Sequence, residues 1–248
     1  MRLLLIIPSY RDSARLRVSL PELCTSLAGI PGVVVQVVDD GSDADEMARV
    51  REIVSALADG PVEIRPPLIL ERNRGKGGAV YAGWDAAGSE FDWLGFADAD
   101  GATPASEIAR MIRILENEPE ADVILGSRIQ MMGRTVVRSV KRHVVGRIFA
   151  TLSTLLTGLV VYDSQCGCKF LKTQYYRKIR DRLVEERFAF DMDLLANLAA
   201  AGATMRECPV DWRDVPGSKV SVIRDGWQMF VALVRLRGRL AHWRKQGQ

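Results

Sequence analysis

Residues 3–7 (Leu-Leu-Leu-Ile-Ile) and 33–38 (Val-Val-Val-Gln-Val-Val) are almost unbroken aliphatic runs, and each stops abruptly at polar residues. A strand that is apolar at consecutive positions must be covered on both faces, the condition of a strand inside a parallel sheet. A helical pattern follows each run, over 14–27 and over 45–57. In the second, Met47, Val50, Ile53, Val54 and Leu57 recur close to a 3.6-residue period. The alternation continues: a short strand at 68–70 precedes a helix carrying Val80, Ala82 and Trp84, and a strand at 93–97 precedes a helix carrying Met111, Ile114 and Leu115. A fifth strand occupies 122–126. This order predicts an α/β fold, a mostly parallel sheet with helices on both faces.

The polar residues that end these strands carry the functional signal. They are Tyr10 and Asp12, Asp39 and Asp40, Lys76, Asp98 and Asp100, and Arg128. Open α/β sheets bind ligands outside the carboxyl ends of their strands, so the pattern predicts one shared site. Its centre is the turn Ala97-Asp98-Ala99-Asp100-Gly101, followed by Thr103 as helix N-cap and Pro104 as first helical residue. Two carboxylates one residue apart repel each other unless a cation joins them. Mg²⁺ is held by one or two carboxylates plus phosphate oxygens, so a divalent cation (Mg²⁺ or Mn²⁺) carrying a diphosphate suits the pair; the spacing alone fits a solvated acidic turn equally well. Asp39 or Asp40 can accept hydrogen bonds from a base or ribose. Lys76, between Gly75 and Gly77, can reach a phosphate as a point charge. The loop is not a Walker P-loop, and no G-x-G-x-x-G follows the first strand.

Composition narrows the class further. The 248 residues, 48% of them hydrophobic, suffice for one α/β domain, alone or with an appendage, and a net charge of +3 gives no reason to expect nucleic acid as a partner. Cys24, Cys166, Cys168 and Cys208 lack zinc-ligand spacing and read as reduced thiols of a cytosolic protein. No run reaches the length of a membrane span. The apolar N-terminus is shaped like a first strand, not a signal peptide.

Taken together, Ile7-Pro8-Ser9-Tyr10-Arg11-Asp12, Val37-Val38-Asp39-Asp40-Gly41-Ser42, Asn73-Arg74-Gly75-Lys76-Gly77-Gly78-Ala79, Ala97-Asp98-Ala99-Asp100 and Gly126-Ser127-Arg128 resemble the inverting family-2 glycosyltransferases of GT-A fold. The stretches Asp163 to Lys169, Arg187 to Asp191 and Val215 to Lys219 narrow the resemblance to polyprenyl-phosphate glycosyltransferases, nearest the dolichyl-phosphate glucosyltransferase branch. The resemblance runs from about residue 3 to 222. It implies a nucleotide-diphosphate sugar donor, UDP-glucose-like, a divalent metal and a lipid phosphate acceptor. By motif position it places Pro8, Tyr10, Asp12, Asp39, Lys76 and Asp98 around the nucleotide sugar, and Asp98 and Asp100 on the metal. Arg128, Lys169 and Lys219 become candidates for phosphate charge, and Asp163 falls at the family's proposed base position. Four positions depart from the pattern. Arg11 and Asp12 replace an Asn and a Glu, Ala102 stands where the mannosyl branch often has a metal-binding Gln, and Cys168 replaces an aromatic. Ala102 weakens a mannosyl reading and leaves the metal to fewer side chains.

An inverting transfer expels the nucleotide diphosphate in one step, so charge stabilisation on the leaving group is the main task. A phosphate acceptor is already anionic and needs little deprotonation. Asp163 then either orients the acceptor or takes a residual proton, or it is a turn aspartate before Ser164. Asp191 and Asp193 open a helical pattern (Leu194, Leu195, Leu198), either serving the site or complementing the helix N-terminus.

Two stretches combine basic and apolar residues. Arg134, Arg138, Lys141, Arg142 and Arg147 lead into residues 148–162, which carry no charge; this reads as a segment lying in the headgroup layer or as a core helix. Residues 227–243 combine Arg235, Arg237 and Arg239 with Phe230, Leu233, Leu236 and Leu240, a basic amphipathic helix for a membrane or a partner. The expected organisation is a GT-A domain over 1–222 and a C-terminal helix or tail over 223–248, peripheral on the cytoplasmic face of a membrane or recruited by a membrane partner. A soluble acceptor, a sugar nucleotidyltransferase and a non-catalytic scaffold are the alternatives. The nucleotidyltransferase needs a Gly-rich, Arg-containing loop after the first strand, which Pro8-Ser9-Tyr10-Arg11-Asp12 is not.

Overall fold

The computed structural model describes residues 1–137, 150–187, 189–215 and 230–241. Its first half follows the predicted alternation: β1 (Leu3–Ser9), α1 (Ser13–Leu27), β2 (Val33–Asp39), α2 (Ala44–Ser55), β3 (Glu63–Ile69), α3 (Lys76–Asp85), β4 (Trp93–Ala97), α4 (Ala105–Asn117) and β5 (Val123–Ser127). Then come a short β6 (Val136–Val137), a helix α5 described over 150–157, β7 (Cys168–Lys172) and α6 (Thr173–Ile179). The chain continues with a 3₁₀ turn (Arg180–Arg182), α7 (Phe190–Ala200), β8 (Met205–Pro209), β9 (Trp212–Arg213) and a helix α8 over 230–241.

Among the described residues, seven strands form one sheet in the order β3-β2-β1-β4-β7-β5-β8. All neighbours are parallel except β7, which runs antiparallel between β4 and β5. The two-residue alternation of β1 divides the core. Leu3, Leu5 and Ile7 face α1, α2 and α4, while Leu4 and Ile6 face α3, α7 and α8. On the second side Gly83 lets α3 press onto β1: a Cβ there would lie 2.6 Å from Ile6 Cδ1. The predicted mostly parallel sheet with helices on both faces is what the chain forms.

Several boundaries differ from expectation. β3 begins at Glu63, well before 68, and runs through Pro66 and Pro67. It is an edge strand with a register shift opposite Gln36/Val38, the setting in which a sheet tolerates proline. α4 starts at Ala105, because Pro104 has an extended ψ of 144° and so occupies the N-cap place expected for Thr103. β7 was not expected: its fully buried Lys169 interrupts the apolar pattern that marks a strand.

The C-terminal helix is part of the core. Leu233, Leu236 and Leu240 are buried in the same cluster as Leu4, Phe96 and Leu195. The expected boundary at 222/223 lies outside the described residues.

Candidate active site

The carboxyl ends of β1, β2, β4 and β5 lie along one edge of the sheet. β1 and β2 end level, with Ser9 opposite Asp39. Beyond β1, Arg11 adopts φ +48°, and its N–H donates to Ser42 Oγ at 2.9 Å, tying the first loop to the second. Pro8 pairs with Val38, Tyr10 is half-buried with the Arg11 guanidinium over its ring, and the Asp12 carboxylate faces Arg15 at 3.5 Å. Asp39 is fully buried and accepts from Ser42 N–H and Ser42 Oγ–H, both at 2.8 Å.

Asp40 does a different job. Its two oxygens accept the N–H groups of Arg74 (2.7 Å) and Gly75 (2.8 Å), so it clamps the loop that carries Lys76. Burial pushes the Asp40 carboxyl up, and these two bonds work against it. Gly75 has φ +94°, a conformation that L residues with a Cβ rarely adopt, and a Cβ there would meet Glu186 O at 2.8 Å. The segment before α7 straps the same loop from the other side: Gly78 N–H donates to Glu186 O at 3.0 Å, and Arg74 pairs with the Glu186 carboxylate.

Lys76 then projects onto the carboxylate pair. Its Nζ lies 2.5 Å from Asp98 Oδ1, over the rings of Phe96 (5.1 Å) and Phe190 (5.7 Å). Asp100 accepts Ala102 N–H at 2.9 Å. Burial, then the neighbouring Asp98 charge, raise the Asp100 carboxyl above its usual range. β7 delivers the third wall. Asp98 N–H donates to Gly167 O at 2.9 Å, and a Cβ on Gly167 would fall 1.9 Å from Asp98 Oδ2. Only glycine at 167 leaves the Asp98 carboxylate where it is. A cleft of about 530 Å³ adjoins Asp98 between α1 and the start of α4.

This donor set fits a divalent cation. Two hard carboxylates at i and i+2 suit Mg²⁺ or Mn²⁺, with phosphate oxygens and water to complete the shell; burial first, and the Asp98 charge second, raise the Asp100 carboxyl, and a cation would offset both. Among the described residues there is no group of three or more His, Cys, Asp or Glu that could hold a metal, so a cation on Asp98 and Asp100 would take its other ligands from outside the protein.

At the end of β5, Arg128 and Asp163 form a bidentate pair, Nε to Oδ2 at 2.6 Å and Nη2 to Oδ1 at 2.8 Å. The N–H groups of Arg128 and Gln165 also donate to this carboxylate. Burial works to raise the Asp163 carboxyl, but the Arg128 charge and hydrogen bonds overcome it and hold the group below the usual carboxylate range. The other face of the guanidinium lies 5.2 Å over the Trp212 ring. Glu207 on β8 accepts from the N–H groups of Tyr162 and Asp163, fixing the backbone that carries the pair.

Lys169 is fully buried, not open to solvent. It donates to Asp191 at 2.5 Å and to Cys166 O at 2.7 Å. Asp193, also fully buried, accepts from the N–H groups of Val184 and Glu185, from Asn197 and from Arg239 of α8. Lys219 lies outside the described residues. Pro8, Tyr10, Asp12, Asp39, Lys76, Asp98, Asp100, Arg128 and Asp163 therefore lie along one edge. Glu186, Gly167, Glu207 and Trp212 join them without having been singled out; only Gly167, within Cys166-Gly167-Cys168, had a motif to mark it.

Residues 4–180 match the family described as Glycosyl transferase family 2. The chain belongs to that family. This family 2 glycosyltransferase is 31% identical over 98% of its length to the mouse dolichyl-phosphate beta-glucosyltransferase, and spans 78% of that relative. It is 29% identical over 94% of its length to the Dictyostelium discoideum dolichyl-phosphate beta-glucosyltransferase, spanning 73% of it. Its fold matches the crystal structure of Mycobacterium tuberculosis glucosyl-3-phosphoglycerate synthase with Mn²⁺, UDP and glucosyl-3-phosphoglycerate, at a TM-score of 0.63 and 14% identity, over 97% of this chain and 80% of that one. The sheet is thus a GT-A sheet, and the expected fold class holds. No helix among the described residues is long and apolar enough to cross a membrane.

Proposed function

We propose that this chain transfers a hexose, with inversion, from a UDP-glucose-like donor to a polyprenyl phosphate. The observation that carries the reading is the meeting of two polar groups at one sheet edge: Lys76 with Asp98 and Asp100, and Arg128 with Asp163. The names of its relatives supply the substrate class.

On this reading Asp98 and Asp100 hold Mg²⁺ or Mn²⁺, which when bound neutralises charge on the leaving diphosphate. Lys76 adds a mobile positive charge beside it. Pro8, Tyr10 and Asp12 line the base and ribose side, and Asp39, fully buried and bound by Ser42, shapes the loop behind them. Arg128 presents its guanidinium to the acceptor phosphate, and Lys219 adds charge there. An anionic phosphate is already a nucleophile, so no strong base is required. Asp163, with both oxygens occupied by Arg128, serves better as the residue that aims Arg128 than as a base. Lys169, closed off by Asp191, sets the electrostatics under Lys76 and does not touch a ligand.

The acceptor class asks for a membrane surface. Leu155 is 72% and Val160 88% exposed, with Leu152 and Tyr162 beside them in sequence, an unusual display of apolar side chains. Arg134 is held by Glu107 at 2.9 Å, and the sequence adds Arg138, Lys141, Arg142 and Arg147, which lie outside the described residues. Each contributes about 1 kcal/mol near an anionic surface, enough for reversible docking on a cytoplasmic leaflet. Incubation with radiolabelled UDP-glucose, Mg²⁺ and polyprenyl phosphate, followed by solvent extraction, should move label into lipid. Label released only as free sugar or found on a water-soluble acceptor would refute the lipid acceptor.

A further inference from the structure

The position of Lys76 has a consequence for how the site fills. Its ammonium, 2.5 Å from Asp98 Oδ1, lies in the field of Asp98, Asp191 and Asp100 and above two aromatic rings. That is the charge environment a divalent cation requires, and Asp98 cannot serve both cations fully. The backbone of Lys76 is fixed, because Asp40 holds Gly75 and Glu186 holds Gly78. The four-carbon stem is not fixed in the same way. It ends in a point charge with three freely rotating donors, so the head can change partners while α3 stays in place.

We propose that Lys76 is a built-in counter-ion of Asp98 and Asp100, which resists the bare cation and yields only when the diphosphate of the donor draws its ammonium away. The inference rests on the donor reading given above. Phosphate oxygens offer Lys76 an anionic partner at the moment they offer the cation additional ligands. Uptake of metal and nucleotide is therefore coupled, and by linkage each raises the affinity for the other by the same factor. A lysine that merely contacted phosphate would have no influence on metal binding in the absence of nucleotide.

The test is Mn²⁺ binding to the full chain by electron paramagnetic resonance, with and without UDP, together with UDP binding by calorimetry. Wild type should take up Mn²⁺ weakly alone and at least about 10-fold more tightly with UDP. Lys76→Met should bind Mn²⁺ alone about 10-fold more tightly than wild type, yet bind UDP less tightly: opposite signs for the two ligands. Lys76→Gln carries the same expectation if the methionine variant does not fold, and Lys76→Arg should keep the resistance. Wild type that binds no UDP with Mn²⁺ would overturn the donor reading and this inference with it. Wild type that binds both, while Lys76→Met or Lys76→Gln leaves uptake of Mn²⁺ alone unchanged or weaker, would overturn the counter-ion alone.

Discussion

Arg128 is bound by Asp163 through both carboxylate oxygens, at 2.6 and 2.8 Å, and the pair is largely shut off from water. A carboxylate so engaged has little capacity left for a proton. Its folded-state pKa lies below its ordinary value, so its contribution to stability is complete above about pH 4, the unfolded carboxylate value, and is lost as pH falls through the depressed folded value.

Asp163→Asn should therefore weaken the fold by about 3–5 kcal/mol at pH 7, the usual cost of stripping one partner from a buried pair. The deficit should shrink on acidification below pH 4. Urea titrations at pH 7 and pH 3 check both statements. Turnover of the wild type should show no ionisation assignable to Asp163 between pH 5 and 8. An inflection there that Asp163→Asn removes would restore the base reading.

Asp100→Asn should lower turnover roughly 10²–10³-fold, the range for loss of one preorganised charge-stabilising group, while leaving the thermal melt unchanged. EDTA should abolish wild-type activity, and Mg²⁺ or Mn²⁺ should restore it. Gly167→Ala should resemble Asp100→Asn in activity, because its Cβ takes the space of the Asp98 carboxylate. Activity of Asp100→Asn that persists in EDTA contradicts the metal assignment.

Arg239 reaches from α8 to Asp193 at 2.8 Å and to Glu185 at 3.6 Å. Asp193 in turn holds Val184 and Glu185, just ahead of the strap on the Lys76 loop. Arg239→Met should destabilise the protein by about 3–5 kcal/mol, since it leaves Asp193 buried without that cation. Hydrogen exchange should rise in residues 183–187 and 74–79 before it rises in β1. Unchanged exchange in both segments would show that α8 is not coupled to the donor loop.

Purified protein should float with anionic vesicles at low salt, less with neutral ones, and less at high salt. Removing residues 224–248 is a poor probe of this contact, because it would also remove Leu233, Leu236 and Leu240 from the core. Leu155→Glu alters an exposed side chain, and should cut flotation several-fold without lowering the melting temperature. Wild type that floats with neither vesicle type would shift the expectation to recruitment by a membrane partner or to a soluble acceptor.

The layered α/β fold and the edge that carries the site are legible in the order of residues alone. Both follow from local chemistry: aliphatic runs of strand length, helical periodicity between them, and polar residues where each run stops. That is why Asp39, Lys76, Asp98, Asp100 and Arg128 stand out together in the sequence, each where an aliphatic run stops. What each polar group is bonded to depends on how distant elements pack. β7 runs antiparallel beside β4, and this register brings Gly167 under Asp98, and Lys169 to Asp191, although no spacing in the chain announces either pair. Likewise α8 follows the amphipathic pattern of a surface helix, yet Leu233, Leu236 and Leu240 are buried and Arg239 reaches Asp193. Periodicity states that a helix has an apolar face; it does not state whether lipid, partner or the protein's own core covers that face. Partners remote in sequence are chosen by the packing of the whole chain, because a buried charge needs a counter-charge or hydrogen-bond donors, and those come from whichever element packs against it.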